Sequence, residues 1–313
     1  MTENISFVVQ GPVSHESNHA EDLFSTKEVL TSIRRNFPYS EIVLSTWNGG
    51  DITDLDYDKL VLNDDPGGIV VPNIEKPYNH NRLVLSSTAG IAVATKDFVV
   101  KTRTDIFFDN DNILYQLPQV KPIEGSYAIF KSYILSTNYY VRNPLRMNLL
   151  FHPSDIVLVG RRDDMKLFFS APPVTRQEMV NERKQIKMVA EQYLMLKSIE
   201  TAHNKHYSVS RVDYTNTTHF MESEKYLFIN FNFLSIGDFG ARFPERLLFA
   251  HLPDANYSLD EVAVLTNYYR KSDRLDRFSY LRAAKYLGAR VKLYLKAKRS
   301  NLLNRVYSND TDN

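Results

Sequence analysis

The sequence predicts an α/β protein, a Rossmann-like doubly wound and mostly parallel sheet followed by a basic helical extension. Three observations predict it. Short apolar runs alternate with amphipathic stretches through the first hundred or so residues, each run ends in a cluster of Gly, Pro, Asn or Asp, and lysine and arginine concentrate near the C-terminal end. Alternating strand and helix signals imply parallel strands with helices on their faces, because parallel neighbours need a long crossover between them.

The elements follow in order. Ile5 to Val9 is an apolar run closed by Gln10, Gly11 and Pro12, and Ser25 to Asn36 reads as a helix with Val29, Leu30 and Ile33 on one face. Glu41 to Thr46 is a strand ended by Trp47, Asn48, Gly49 and Gly50. Leu60 to Leu62 is a third strand, ended by Asn63, Asp64, Asp65, Pro66, Gly67 and Gly68. Asn81 to Ala94 is a largely apolar helix with small residues, and Phe98 to Lys101 is the next strand. Neither GxGxxG nor a Walker motif is present, which disfavours dinucleotide and phosphate-loop folds.

The chain has 313 residues, 43% of them hydrophobic and 24% charged, enough to bury a substantial core and too polar for a membrane span. With no cysteine, disulfides, zinc–thiolate sites, thiol nucleophiles and iron–sulfur chemistry are excluded, so any metal must use oxygen ligands or histidine. MTENISFVVQ lacks the basic start and long apolar core of an export signal, and a cytoplasmic protein is expected.

Residues 270–307 hold twelve lysines and arginines against two aspartates, a net of +10, while the first 269 residues carry −7. Two parts are therefore expected: a main domain over 1–255 and a helical basic extension over 256–313. In the extension Phe278, Leu281, Ala284, Leu287, Val291 and Tyr294 recur at three- and four-residue steps, giving an apolar stripe framed by cations. Such a helix suits the anionic inner face of a membrane, or docking on its own domain with a solvated basic back. Nucleic acid is not expected, because the main domain is not basic.

The segment FVVKTRTDIFF at 98–108 carries the chemistry. An apolar strand runs into Lys101, Arg103, Thr104 and Asp105, delivering two cations and an acid to one sheet edge, where a phosphorylated ligand and its metal could sit. The plainer reading is a strand end whose acid caps a turn or is neutralised by the neighbouring cations.

Several short motifs occur in series: QGP at 10–12, STW at 45–47, NDDPGG at 63–68, SSTAG at 86–90, KTRTD at 101–105 and SDIVLVG at 154–160. Together they resemble the WavE family of lipopolysaccharide-synthesis proteins, over roughly the first two-thirds of the chain. The resemblance implies a GT-A type glycosyltransferase fold and a nucleotide-sugar donor, with Mg or Mn held on the donor diphosphate by the acid-rich strand end. This chain departs from the usual Asp-x-Asp there: Arg103 stands at the first position, and Asp105 alone remains to bind a metal.

On that plan the donor is held by Gln10, Gly11, Trp47, Asp64, Asp65, Arg82, Lys101 and Arg103. Gly67 and Gly68 permit close backbone approach, and the arginine forks match phosphate oxygens. An inverting reaction needs a base for the acceptor hydroxyl. Glu191, opening EQYLMLKSIE, is the first candidate and Asp155 in HPSDIVLVG the second, with Asp155 otherwise contacting acceptor or donor sugar. The plainer reading of Glu191 is an exposed position in one long charged helix over Gln177 to His203. Asp163 and Asp164 read as a solvated turn, Ala171 to Lys187 as a connection able to order over substrate, and His219 or His251 as an added metal ligand.

The expected activity is sugar transfer onto a lipopolysaccharide, O-antigen or capsular polysaccharide acceptor, free or lipid-linked, inverting by preference. A retaining transferase, a sugar nucleotidyltransferase and a non-catalytic carbohydrate-binding or assembly subunit are the alternatives. The nucleotidyltransferase is disfavoured because QGPVSHES at 10–17 has no lysine or arginine.

Overall fold

The computed structural model describes residues 4–71, 77–180, 187–208, 217–249, 253–271 and 277–309. The predicted alternation is present: β1 (Ile5–Gln10), α1 (Thr26–Asn36), β2 (Glu41–Trp47), β3 (Lys59–Asn63), α2 (His80–Val93) and β4 (Phe98–Arg103). The chain continues through β5 (Phe107–Phe108), α3 (Ile113–Gln116), β6 (Ile134–Thr137), β7 (Leu158–Arg161), α4 (Arg162–Phe168), α5 (Arg176–Met179) and α6 (Ala190–His203). It ends with α7 (Thr217–Asn230), β8 (Phe231–Leu234), β9 (Ala241–Arg242), α8 (Glu245–Phe249), α9 (Leu259–Lys271) and α10 (Arg277–Asn309).

Seven strands form one sheet in the order β3-β2-β1-β4-β7-β6-β8. All run parallel except β7, which is antiparallel to both β4 and β6. The mostly parallel α/β class read from the sequence is thus the fold. β5 and β9 pair separately as a short antiparallel ribbon.

The period of two along each strand divides the core. Val8, Val43 and Val99 face Val84 and Ile91 of α2, Met165 of α4 and Leu194 of α6. Phe7, Val9, Ile42, Leu44 and Val100 face Val29, Leu30 and Ile33 of α1. Burial on both faces explains why these strands read as unbroken apolar runs. α1 starts at a capping box in which Ser25 and Glu28 bond each other's backbone N–H, which is worth about 1 kcal/mol. The SSTAG segment packs α2 onto the sheet, where a Cβ on Gly90 would stand 2.5 Å from Val8 Cγ1.

One expectation needs correction. Asp164 is buried, not a solvated turn residue: its carboxylate accepts from the backbone N–H of Lys131 (2.7 Å) and Ser132 (3.0 Å). Burial raises its pKa in spite of those bonds. Of the two placements open to α10, docking on its own domain is seen, and from the predicted stripe Phe278 packs against the core, 4.3 Å from Tyr268. The helix packs on α7 through Arg282 at Glu224 and Tyr286 on Phe220, on α9 through Ser279 at Tyr268, and through Arg290 at the Pro144 carbonyl, whereas Leu281, Leu287 and Val291 are exposed. The anchor is Glu224 of α7, fully buried, which accepts from Arg282 (Nε at 2.8 Å), Tyr257 (2.9 Å) and Tyr269 (2.7 Å).

Candidate active site

In a parallel sheet the strand ends that point the same way make a common edge. Here Gln10 lies in register with Ser45 on one side and Arg103 on the other, so β1, β2 and β4 finish together. The chain leaves β1 through Gly11 at φ +129°, where a Cβ would come within 3.0 Å of Thr104 Oγ1. Thr104 donates from its backbone N–H to the Gln10 carbonyl (3.1 Å) and from its hydroxyl to the Pro12 carbonyl (2.8 Å). These contacts open a cleft of about 850 Å³ above the strand ends.

Gln10, Gly11, Trp47, Asp65, Arg82, Arg103, Asp105, Asp155 and Glu191, all singled out from the sequence, line this cleft. Gln10 accepts through its side-chain carbonyl from Ser86 of α2 (2.7 Å), which fixes the amide. Arg82 grips both oxygens of Asp65 at 2.6 Å, with Asp65 also accepting from the Gly67 N–H.

Two predicted donor contacts sit elsewhere. Asp64 lies on the exposed turn beyond β3 and accepts from Asn48. Lys101 is fully buried in mid-strand, its ammonium donating to the Asp155 carbonyl and standing 3.6 Å from Asp155 Oδ2. Its pKa is lowered because burial outweighs the attraction of Asp155. The alternation that puts Arg103 at the cleft end keeps Lys101 beneath it, where its charge acts on Asp155 and Glu191.

Asp105 accepts from Arg103 Nε and Nη2, both at 2.8 Å, and from Arg246 of α8. Burial pushes its carboxyl up, but the two guanidinium groups prevail and hold it below the usual range. Arg103 is held above its ordinary value, burial being outweighed by Asp105. Mg or Mn would need carboxylate oxygens free to ligate. Both oxygens of Asp105 are already engaged, and among the described residues no group of three or more His, Asp or Glu could hold an ion. The residues present therefore do not fit a divalent metal at Asp105. His219 lies edge-on to Tyr207 outside the cleft lining, and His251 and residues 181–186 of the predicted connection fall outside the described residues.

The second group stands at the start of α6 and before β7. Glu191 is in the first turn of α6, not exposed in a long helix, since α5 and α6 are separate. Its Oε2 lies 3.7 Å from His152 Nε2. Burial, and then the charge of Asp155, push its carboxyl up to about 8, against opposing pulls from Arg142 and Lys101. A carboxyl so raised is a strong base once ionised.

Sequence reasoning missed Arg246, Arg142 and His80. Arg142 is buried with Nη1 on Asn256 (2.9 Å), and His80 opens α2 with both ring nitrogens buried and unpartnered. Burial holds His80 down to about 4, so it faces the cleft as a neutral imidazole. None of the three sits in a motif that the sequence marked.

A mannosyltransferase from Pyrobaculum calidifontis, solved with GDP-mannose and Mn²⁺, is similar at 13% identity with a TM-score of 0.33, covering 93% of this chain and 87% of that one. Mouse xyloside xylosyltransferase 1, in its apo form, is similar at 10% identity and a TM-score of 0.32, covering 66% of this chain and 83% of that one. No curated protein matches the chain. The WavE lipopolysaccharide synthesis family matches residues 5–297, well beyond the two-thirds read from the motifs and into α10. The chain belongs to the WavE family of lipopolysaccharide-synthesis proteins.

Proposed function

We propose that this chain is a glycosyltransferase that moves a sugar from a nucleotide-sugar donor to a lipopolysaccharide, O-antigen or capsular polysaccharide acceptor, with inversion at the anomeric carbon. One observation carries the reading: a single cleft at the ends of parallel strands combines guanidinium groups on α2, β4 and α8 with a carboxylate pair at Asp155 and Glu191. Cleaving the sugar–phosphate bond leaves negative charge on the diphosphate, and fixed cations stabilise that charge as it develops. At the opposite face of the sugar the acceptor hydroxyl must lose a proton. Glu191, whose burial makes it basic once ionised, takes that proton, and Asp155 holds a sugar hydroxyl.

Gln10, Gly11 and Trp47 receive the nucleoside: the first two bring an amide and close backbone, and Trp47 a ring able to stack. The enzyme works at the cytoplasmic face of the inner membrane. No helix among the described residues is long and apolar enough to cross a membrane. The exposed face of α10, with Leu281, Leu287, Val291 and Leu295 beside Lys285 and Lys292, is suited to an anionic surface that presents a lipid-linked acceptor.

The test is transfer from a panel of labelled nucleotide sugars to lipopolysaccharide and capsule-type acceptors, with the product anomer read by NMR. One donor consumed with inverted configuration is the expected result. Retention would remove the base role of Glu191, and failure of every donor with every acceptor would sink the transferase reading.

A further inference from the structure

The disagreement between Asp105 and a metal has a constructive side. Every aspartate lining the cleft is committed to a cation: Asp65 to Arg82, Asp155 to Lys101, and Asp105 to Arg103 and Arg246. At Asp65 and Asp105 a hard divalent ion competes poorly, because it would have to displace guanidinium groups that are already hydrogen-bonded and aligned, and at Asp155 it would meet the Lys101 ammonium 3.6 Å away. Meanwhile the guanidinium groups keep spare donors. Arg103 uses Nε and one N–H of Nη2 on Asp105, and Arg246 uses only Nη2, so among the described residues the Nη1 groups of both carry no bond.

The two arginines reach Asp105 by different routes. Arg103 is fixed at the end of β4 by the strand itself and by a two-point grip two residues away. Arg246 comes from α8, 141 residues distant in sequence, through one contact and with its side chain 57% exposed. The first is held by its strand and two bonds, and the second by a single contact at the solvent edge. A carboxylate that gathers two guanidinium forks at a strand end presents to a diphosphate what a metal otherwise would, fixed positive charge at the phosphate bridge.

We propose that the protein binds the diphosphate of its donor without a divalent metal, through Arg103 and Arg246, with Asp105 as the positioning residue that aligns them. The inference rests on the nucleotide-sugar reading above and specifies its ligand chemistry. Arg103 contacts the phosphate nearer the sheet and Arg246 the second phosphate, each through its unbonded Nη1, while Asp105 keeps its hold on both.

The experiment is isothermal titration of the full chain with UDP, GDP, dTDP and CMP, each in excess EDTA and again with manganese, for wild type, Arg246→Met, Arg246→Lys and Asp105→Asn. Thermal melts would confirm that each variant folds; the exposure of Arg246 makes that expected. One nucleoside diphosphate should bind in EDTA with a Kd within about threefold of its manganese value. Arg246→Met should weaken it by about tenfold or more in both media, equal to about 1.4 kcal/mol. Arg246→Lys should restore part of that loss, and Asp105→Asn should weaken binding without creating a need for metal. Binding that requires manganese and vanishes in Asp105→Asn would make Asp105 a metal ligand, overturning the proposal while leaving the transferase reading intact. Preference for CMP would overturn the diphosphate assignment alone. Silence from all four nucleotides in both media would remove the nucleotide-sugar reading and this proposal with it.

Discussion

Lys101 buries its ammonium completely and places it 3.6 Å from Asp155 Oδ2, so the middle of β4 holds a carboxylate of the cleft from below. The same charge lowers the pKa of Glu191, opposing the effects of burial and Asp155. Lys101→Met removes that pull. The rising limb of the activity–pH profile should move to higher pH, while nucleotide affinity changes by less than about twofold, the measure of a residue that does not touch the ligand. An unmoved profile would show that Lys101 only fills space.

Glu191 holds its proton until about pH 8, above its ordinary 4.5. Its base form therefore appears as pH rises through about 8, and transfer should rise with it. The stability sign is opposite: the unfolded chain releases this proton near 4.5 and the folded chain keeps it, so the group's contribution is full below 4.5 and declines as pH climbs towards 8. Glu191→Gln should cut turnover by about a hundredfold or more and yet melt higher than wild type in mildly alkaline buffer. A variant that keeps its turnover would pass the base role to Asp155.

Glu41 ties the start of β2 to three neighbours, accepting from Ser6 (2.5 Å), Thr95 (Oγ1 at 2.7 Å) and Lys59 (2.9 Å). Burial pushes its carboxyl up, but these partners bring it down to about 2. Its contribution is thus present above 4.5 and lost as pH falls through about 2. Glu41→Gln should cost roughly 1–3 kcal/mol at neutral pH, shrinking in acid, as followed by urea melts across pH.

Removing Glu224 leaves Arg282 buried without its partner and two tyrosine hydroxyls unbonded. Glu224→Ala should lower stability by about 3–5 kcal/mol, with α10 losing protection from hydrogen exchange before the sheet does. Equal protection in both would mean that the helix is held by its aromatic contacts, such as Phe220 on Tyr286 at 4.6 Å.

The outward face of α10 gives a separate test. Leu287→Ser with Val291→Ser should reduce sedimentation with anionic liposomes severalfold and leave the melting temperature unchanged, because neither side chain is docked. Unaltered sedimentation would assign any lipid binding to charge alone.

The sequence by itself determined the strand and helix alternation, the sheet class and the strand-end positions of Gln10, Trp47, Arg103 and Asp105. These follow from side-chain period and turn chemistry, which act over a few residues. It also named Glu191 and Asp155, 36 positions apart, without being able to bring them together. Only the tertiary structure decided that Arg246 would close on Asp105, that Lys101 would sit under Asp155, and that α10 would dock through Tyr286 and Arg290 while Leu281 faces out. Those outcomes depend on how separate elements pack, and half a turn of a helix or one step along a strand reverses which side chain faces the cleft.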